Sequence, residues 1–134
     1  MTKIIEIEGI GEAYAQKLAA AGIDTVEVLL EKGATPKGRE ELAEKTAISH
    51  KLVLKWVNHA DLFRINGVRG QYAELLEAAG VDTVVELGHR KADNLHAKME
   101  EVNKAKNLVN RPPSVAEVTK WVEEAKKLPR KVSY

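Results

Sequence analysis

Cysteine is absent from the chain, so disulfides and thiolate metal sites are excluded. Aromatic residues are few: two Trp, three Tyr and one Phe. A core must therefore come from Ala, Leu, Val and Ile, and that mixture with abundant Glu and Lys favours helix over sheet. No stretch approaches the roughly 20 apolar residues of a membrane span. The start, Met1-Thr2-Lys3, also lacks the apolar run of a signal peptide. A soluble, cytoplasmic protein with no membrane association is expected. A charge excess is missing as well: 21 basic and 20 acidic side chains leave a net charge of +1. Dedicated DNA binders usually carry a clear basic excess, because phosphate neutralisation supplies most of their non-specific affinity. The charge is uneven along the chain, at −3 over residues 1–33, +2 over 34–64, −1 over 65–91 and +3 over 92–134.

What the chain does have is a repeat. Ile7–Val26 (IEGIGEAYAQKLAAAGIDTV) returns fifty-eight residues later as Ile65–Val84 (INGVRGQYAELLEAAGVDTV), with eleven of twenty positions identical. The shared residues include Gly9/Gly67, Tyr14/Tyr72, Leu18/Leu76, Gly22/Gly80 and the Asp-Thr pairs at 24–25 and 82–83. Lys55-Trp56-Val57 matches Lys120-Trp121-Val122 at an offset of sixty-five, so about seven residues are inserted before the second tryptophan helix. A repeat of this length marks a duplicated structural unit.

Each unit reads as four helices. Gly9-Ile10-Gly11 is a tight turn, after which Tyr14, Leu18 and Ala21 recur at helical spacing and Gly22 supplies a stop. Asp24 or Thr25 caps Val26–Lys32, Thr35-Pro36 leads into a helix over about Lys37–Thr46, and Ser49 opens the Trp56 helix. The second copy repeats the plan with Gln71–Ala79, a capping box Thr83/Glu86, Asp93–Asn107, a second box Ser114/Glu117, and Val115–Leu128. Residues 1–64 and 65–128 are thus two units of one compact domain, with 129–134 a basic tail free to fray. Only Thr2–Glu6 precede the first turn, too few for a stable helix. The last helix is expected to fold back beside the first hairpin, closing the two units about a pseudo-two-fold axis. Trp56 and Trp121 are expected in equivalent buried sites.

The outline IEGIGxxxAxxLxxxGI resembles the helix-hairpin-helix motif of nucleic-acid-binding proteins. The order of elements is similar to the small helical domains that precede RecA-like recombinase cores and to the C-terminal domain of the RNA polymerase alpha subunit. Nearly the whole chain, including Leu95-His96-Ala97-Lys98-Met99, Pro112-Pro113-Ser114 and the Trp121 helix, resembles an uncharacterised bacterial family of tandem helix-hairpin-helix proteins, a domain of unknown function. The resemblance implies an all-α fold of about eight helices in two tandem four-helix, SAM-like units. It also implies that turn and helix amides meet a phosphate oxygen, a contact to backbone that is independent of base sequence. Carried over, the phosphate-facing positions are Gly9, Ile10 and Gly11, then Gly67, Val68, Arg69 and Gly70, with Lys17 and Arg69 the nearest basic side chains.

Both hairpins depart from the pattern. Glu8 and Glu12 flank the first, where a carboxylate repels phosphate. In the second, Arg69 stands where the first has Gly11, and its neighbours Asn66 and Gln71 are uncharged. The second hairpin is therefore expected to carry more of any binding. No other chemistry stands out. His50, His59, His89 and His96 form no i,i+4 pair, and His59, Asp61, His96 and Asp93 read as solvated surface residues. There is no Ser-His pair, catalytic carboxylate pair or P-loop, so no enzyme, metal or cofactor is expected. Two functions remain: a non-enzymatic, sequence-independent module for DNA or RNA backbone, or a protein–protein interaction domain on the same scaffold.

Overall fold

Serine and threonine side chains start five of the eight α-helices in the computed structural model, which describes residues 1–134. A short 3-10 turn, Ile4–Glu6, precedes α1 (Glu12–Ala20), α2 (Val26–Gly33), α3 (Pro36–Thr46), α4 (His50–Leu62), α5 (Gly70–Ala78), α6 (Val84–Gly88), α7 (Ala92–Lys106) and α8 (Val115–Lys127). No strand forms; the only β feature is an isolated antiparallel bridge between Lys3 and Thr25. The protein is all-helical, as its composition predicts. Thr25, not Asp24, caps α2 by accepting from the Val28 amide at 3.2 Å. At α8 the capping box is complete: Ser114 Oγ accepts from the Glu117 amide and Glu117 Oε1 accepts from the Ser114 amide, both at 3.1 Å. Both glycine stops adopt the left-handed conformation, Gly22 at φ +84° and Gly80 at +95°. The amides of Ile23 and Val81 then reach back to the carbonyls of Leu18 and Leu76, each at 2.9 Å, and both side chains are fully buried.

The chain forms two compact units, Met1–Asp61 with Lys131–Tyr134, and Leu62–Arg130. This corrects the expectation that the last helix completes the first hairpin. Trp56 of α4 packs edge-on against Tyr14 of the first unit, and Trp121 of α8 packs against Tyr72 of the second. Each hairpin packs against the tryptophan helix that follows it in its own copy, and α8 packs on α6 and α7. The physical reason is chain economy, since closing a shorter loop costs less entropy. The two sites are otherwise equivalent, with Trp56 1 % and Trp121 3 % exposed.

The inserted residues lengthen α7, which has 15 residues against 11 in α3, and the connector 107–114. Both features are anchored. The Asn103 side chain donates to the Val109 carbonyl at 3.1 Å and accepts from the Val109 amide at 2.9 Å, while Tyr72 Oη donates to the Arg111 carbonyl at 2.9 Å. In the first unit Thr46 has the matching task, its hydroxyl accepting from the Ile48 amide at 3.3 Å.

The tail does not fray. Val132 is buried, the Ser133 amide donates to the Ala34 carbonyl at 2.8 Å, and Tyr134 Oη donates to Asn58 Oδ1 at 2.9 Å. Buried Arg39 holds the segment, donating to the carbonyls of Gly33 (2.9 Å), Ala34 (3.2 Å) and Ser133 (2.7 Å). His59 and Asp61 also differ from the surface reading: both are buried, because the last turn of α4 is enclosed all round. His96 is half-buried and its Nδ1 lies 3.2 Å from Glu100, one turn along α7, not from Asp93.

Two outcomes test this account. Deleting Lys131–Tyr134 removes the Val132 burial and one of the three carbonyls on Arg39. The first unit should lose roughly 2–4 kcal/mol, read as faster hydrogen exchange at Leu29 and Leu30 while Leu75 and Leu76 keep their protection. Equal exchange at all four would place the tail outside the fold. The second concerns acid. The Ser114 backbone amide, helped by Arg111 and against slight burial, holds the Glu117 carboxyl below its ordinary range. That stabilisation is present above an unfolded carboxyl pKa of about 4.3 and is lost as pH falls through the lower folded value. Glu117→Gln should therefore shrink the drop in Tm between neutral pH and pH 3.

Candidate functional site

Two consecutive i→i+3 turns build each hairpin. The Ile7 amide donates to Ile4 and the Ile10 amide to Ile7; fifty-eight residues on, Ile65 donates to Leu62 and Val68 to Ile65, all at 3.1–3.2 Å. The third residue of each second turn is a glycine at positive φ, Gly9 at +93° and Gly67 at +89°. A side chain there would be strained and would also meet the indole, since an ideal Cβ on Gly9 lies 3.4 Å from Trp56 Nε1 and on Gly67 3.3 Å from Trp121 Nε1. Gly11 is different. Its φ is −85° and a Cβ would enter open space, so this position accepts a side chain, and Arg69 occupies it in the second unit.

The helices that follow these turns start without help. α1 opens at Gly11 and α5 at Arg69, neither with a side-chain cap; α7, opening at Lys91, is the third such helix. Helix geometry leaves the first amides, those of Glu12, Ala13 and Tyr14 and of Gly70, Gln71 and Tyr72, without partners inside the helix. With the helix dipole they make two positive ends of similar form. Their surroundings differ. Glu12 is the first residue of α1, and Glu8 lies in the turn before it. At α5 the Arg69 guanidinium donates to the Val68 carbonyl at 3.0 Å and sits 5.9 Å over the Phe63 ring.

The structure thus brings Gly9, Ile10 and Gly11 together at one turn and Gly67, Val68, Arg69 and Gly70 at the other. Ile10 and Val68 point into the core, and their amides are spent inside the turns. Lys17 is not at the hairpin; it lies in the last turn of α1 with its ammonium 5.8 Å over the Tyr14 ring. One correction bears on charge. The second hairpin does have a carboxylate beside it, because Glu124 of α8 accepts from the Asn66 amide at 3.2 and 3.4 Å. A partner fifty-eight residues away leaves no local signal. Arg39 was missed for the same reason, as its acceptor Ser133 is ninety-four residues away.

Fold and turns define an all-helical protein made of two copies of one four-helix unit. The chain belongs to the family described as a domain of unknown function, DUF4332, whose model matches residues 8–128. No curated protein and no solved structure matches it. No helix is long and apolar enough to cross a membrane.

The two glycines of the first turn should respond oppositely. Gly9→Ala forces a side chain into the left-handed region against Trp56 and should cost about 1–3 kcal/mol. Gly11→Ser adds a capping hydroxyl at a permissive position and should be neutral or stabilise by a few tenths of a kcal/mol. Urea unfolding followed by tryptophan fluorescence measures both, and equal losses would mean that Gly11 is also conformationally required.

Proposed function

We propose that the protein is a non-enzymatic helix-hairpin-helix module that grips nucleic-acid backbone phosphate, independently of base sequence, at the amino end of α5. The observation that carries this reading is the uncapped start of α5 with Arg69 as its N-cap residue. A phosphate oxygen meeting the amides of Gly70, Gln71 and Tyr72 replaces the missing cap and sits at the positive end of the helix dipole. Gly70 is buried, so the phosphate approaches from the side of exposed Gln71 and half-buried Tyr72. Arg69 is already at the turn and can exchange its neutral bond to the Val68 carbonyl for a charge-assisted one to phosphate. α1 offers the same backbone form, but Glu8 and Glu12 oppose an anion there. With one favourable site and a net charge of +1, affinity is modest, on the order of 10⁻⁴–10⁻⁶ M at physiological salt.

Fluorescence anisotropy with labelled double- and single-stranded DNA across a salt series tests this. Arg69→Glu should weaken binding at least tenfold and lower the slope of log K against log salt by about one. Glu124→Gln removes the carboxylate at Asn66 and should strengthen binding about two- to fivefold, the range of an exposed charge interaction. An absence of salt-sensitive binding by the unmodified protein at low ionic strength would end the proposal.

A further inference from the structure

The first unit carries an open groove of about 340 Å³ between α1 and the amino-terminal segment. Ile4, Ile5, Ala15 and Ala19 supply its apolar surface, and Glu12 and Asp24 its acidic rim, with Lys3 the one basic side chain lining it. Ile5 is 49 % exposed, unusual for a residue of its size in this protein. The wall that carries it is held in place. The Ile4 amide donates to the Asp24 carbonyl at 3.2 Å, the Val26 amide to the Thr2 carbonyl at 2.9 Å, and the Thr2 amide to Glu27 Oε1 at 3.0 Å. The groove is therefore preformed, which lowers the entropic cost of filling it.

The duplication supplies an internal comparison. At the equivalent positions of the second unit Ala73 is fully buried where Ala15 is half-buried, and Glu77 stands where the first unit has Ala19. Phe63 stands where the first unit has Ile5, and the Arg69 guanidinium covers its ring. At these aligned positions the open apolar face is a feature of the first unit. It also lies in the most acidic part of the chain, where residues 1–33 carry a net charge of −3. Charge complementarity thus selects the occupant.

We propose that this groove docks a basic amphipathic helix of a partner protein, which seats two apolar side chains over Ala15 and Ala19 and sets lysine or arginine against Glu12 and Asp24. The volume accommodates two side chains of leucine size, and the face from Glu12 to Ala19 spans about 10 Å, two turns of a partner helix with apolar residues at i and i+4. This surface differs from the α5 end and does not depend on the nucleic-acid reading.

The test uses the full chain and a labelled fourteen-residue peptide with Leu on one helical face and Lys elsewhere, beside a twin in which Glu replaces every Lys. The Lys peptide should bind with micromolar affinity and shift the amide resonances of Ile5, Ala15 and Ala19, while the Glu peptide should bind at least tenfold more weakly. Ile5→Glu and Ala19→Lys alter exposed positions, and circular dichroism would verify their folding. Ile5→Glu takes an apolar contact away and Ala19→Lys puts a long cation on the groove floor, so each should weaken the Lys peptide at least tenfold. Arg69→Glu should leave it unchanged. Equal binding of both peptides, resonance shifts confined to other faces, or no binding at all would overturn the proposal. So would concentration-dependent self-association abolished by Ala19→Lys, since the occupant would then be a second copy of the chain.

Discussion

Each unit depends on an indole lying against a glycine. Trp56 fills the place where Gly9 has no side chain, and Trp121 does the same at Gly67. The indole is held from another side by a tyrosine of the helix that follows the turn, at ring distances of 4.9 Å for Tyr14 and 5.3 Å for Tyr72. Turn, first helix and last helix of a unit therefore meet at one group. Trp56 Nε1 is buried at this contact, against the backbone of Gly9. Fixing the turn in this way also fixes where the following helix starts. The direction in which the first amides of α1 and α5 point is thus a consequence of core packing.

Much of this was legible in the sequence because it is written locally. The stops at Gly22 and Gly80, the caps at Thr83 and Ser114, and the equivalence of the two tryptophans all follow from residue types at short spacing, while the choice of Thr25 over Asp24 came from the structure. Helix boundaries agree with those readings to within a residue or two. The number of helices before each turn does not reveal which tryptophan helix packs on it, because Tyr14 meets Trp56 and Tyr72 meets Trp121. In the structure the first hairpin is preceded only by Ile4–Glu6 and packs against its own α4. Nor could the sequence show that Arg39 is buried and binds the tail. Arginine on a polar helix normally reads as solvated, and only three converging carbonyls make its burial tolerable.

The candidate site was legible in position and not in electrostatics. Neighbouring residues put Glu8 and Glu12 beside the first turn, and the structure has them there. At the second turn the same reasoning finds no acid, yet α8 delivers Glu124 to the Asn66 amide. That bond satisfies a donor of the turn and leaves the first turn of α5 to Arg69. The second hairpin is thus better described as a turn with one acidic and one basic neighbour, each bound to a different backbone group.

Duplication explains why the two halves can differ at the position of Gly11 and Arg69 without disturbing the fold. Gly9 and Gly67 are fixed by conformation and by the indole, so both copies keep them. Two residues later the backbone is extended and a side chain projects into open space, so nothing in the core constrains the choice. One copy carries glycine with acidic neighbours and the other carries arginine. The same freedom extends to the face of α1, where Ala19 stands opposite Glu77 in the aligned copy. Part of the divergence lies where the scaffold is indifferent, at the position of Gly11 and Arg69, and part changes burial, as where exposed Lys17 aligns with fully buried Leu75. Those are the places where two copies of one unit can acquire two different partners.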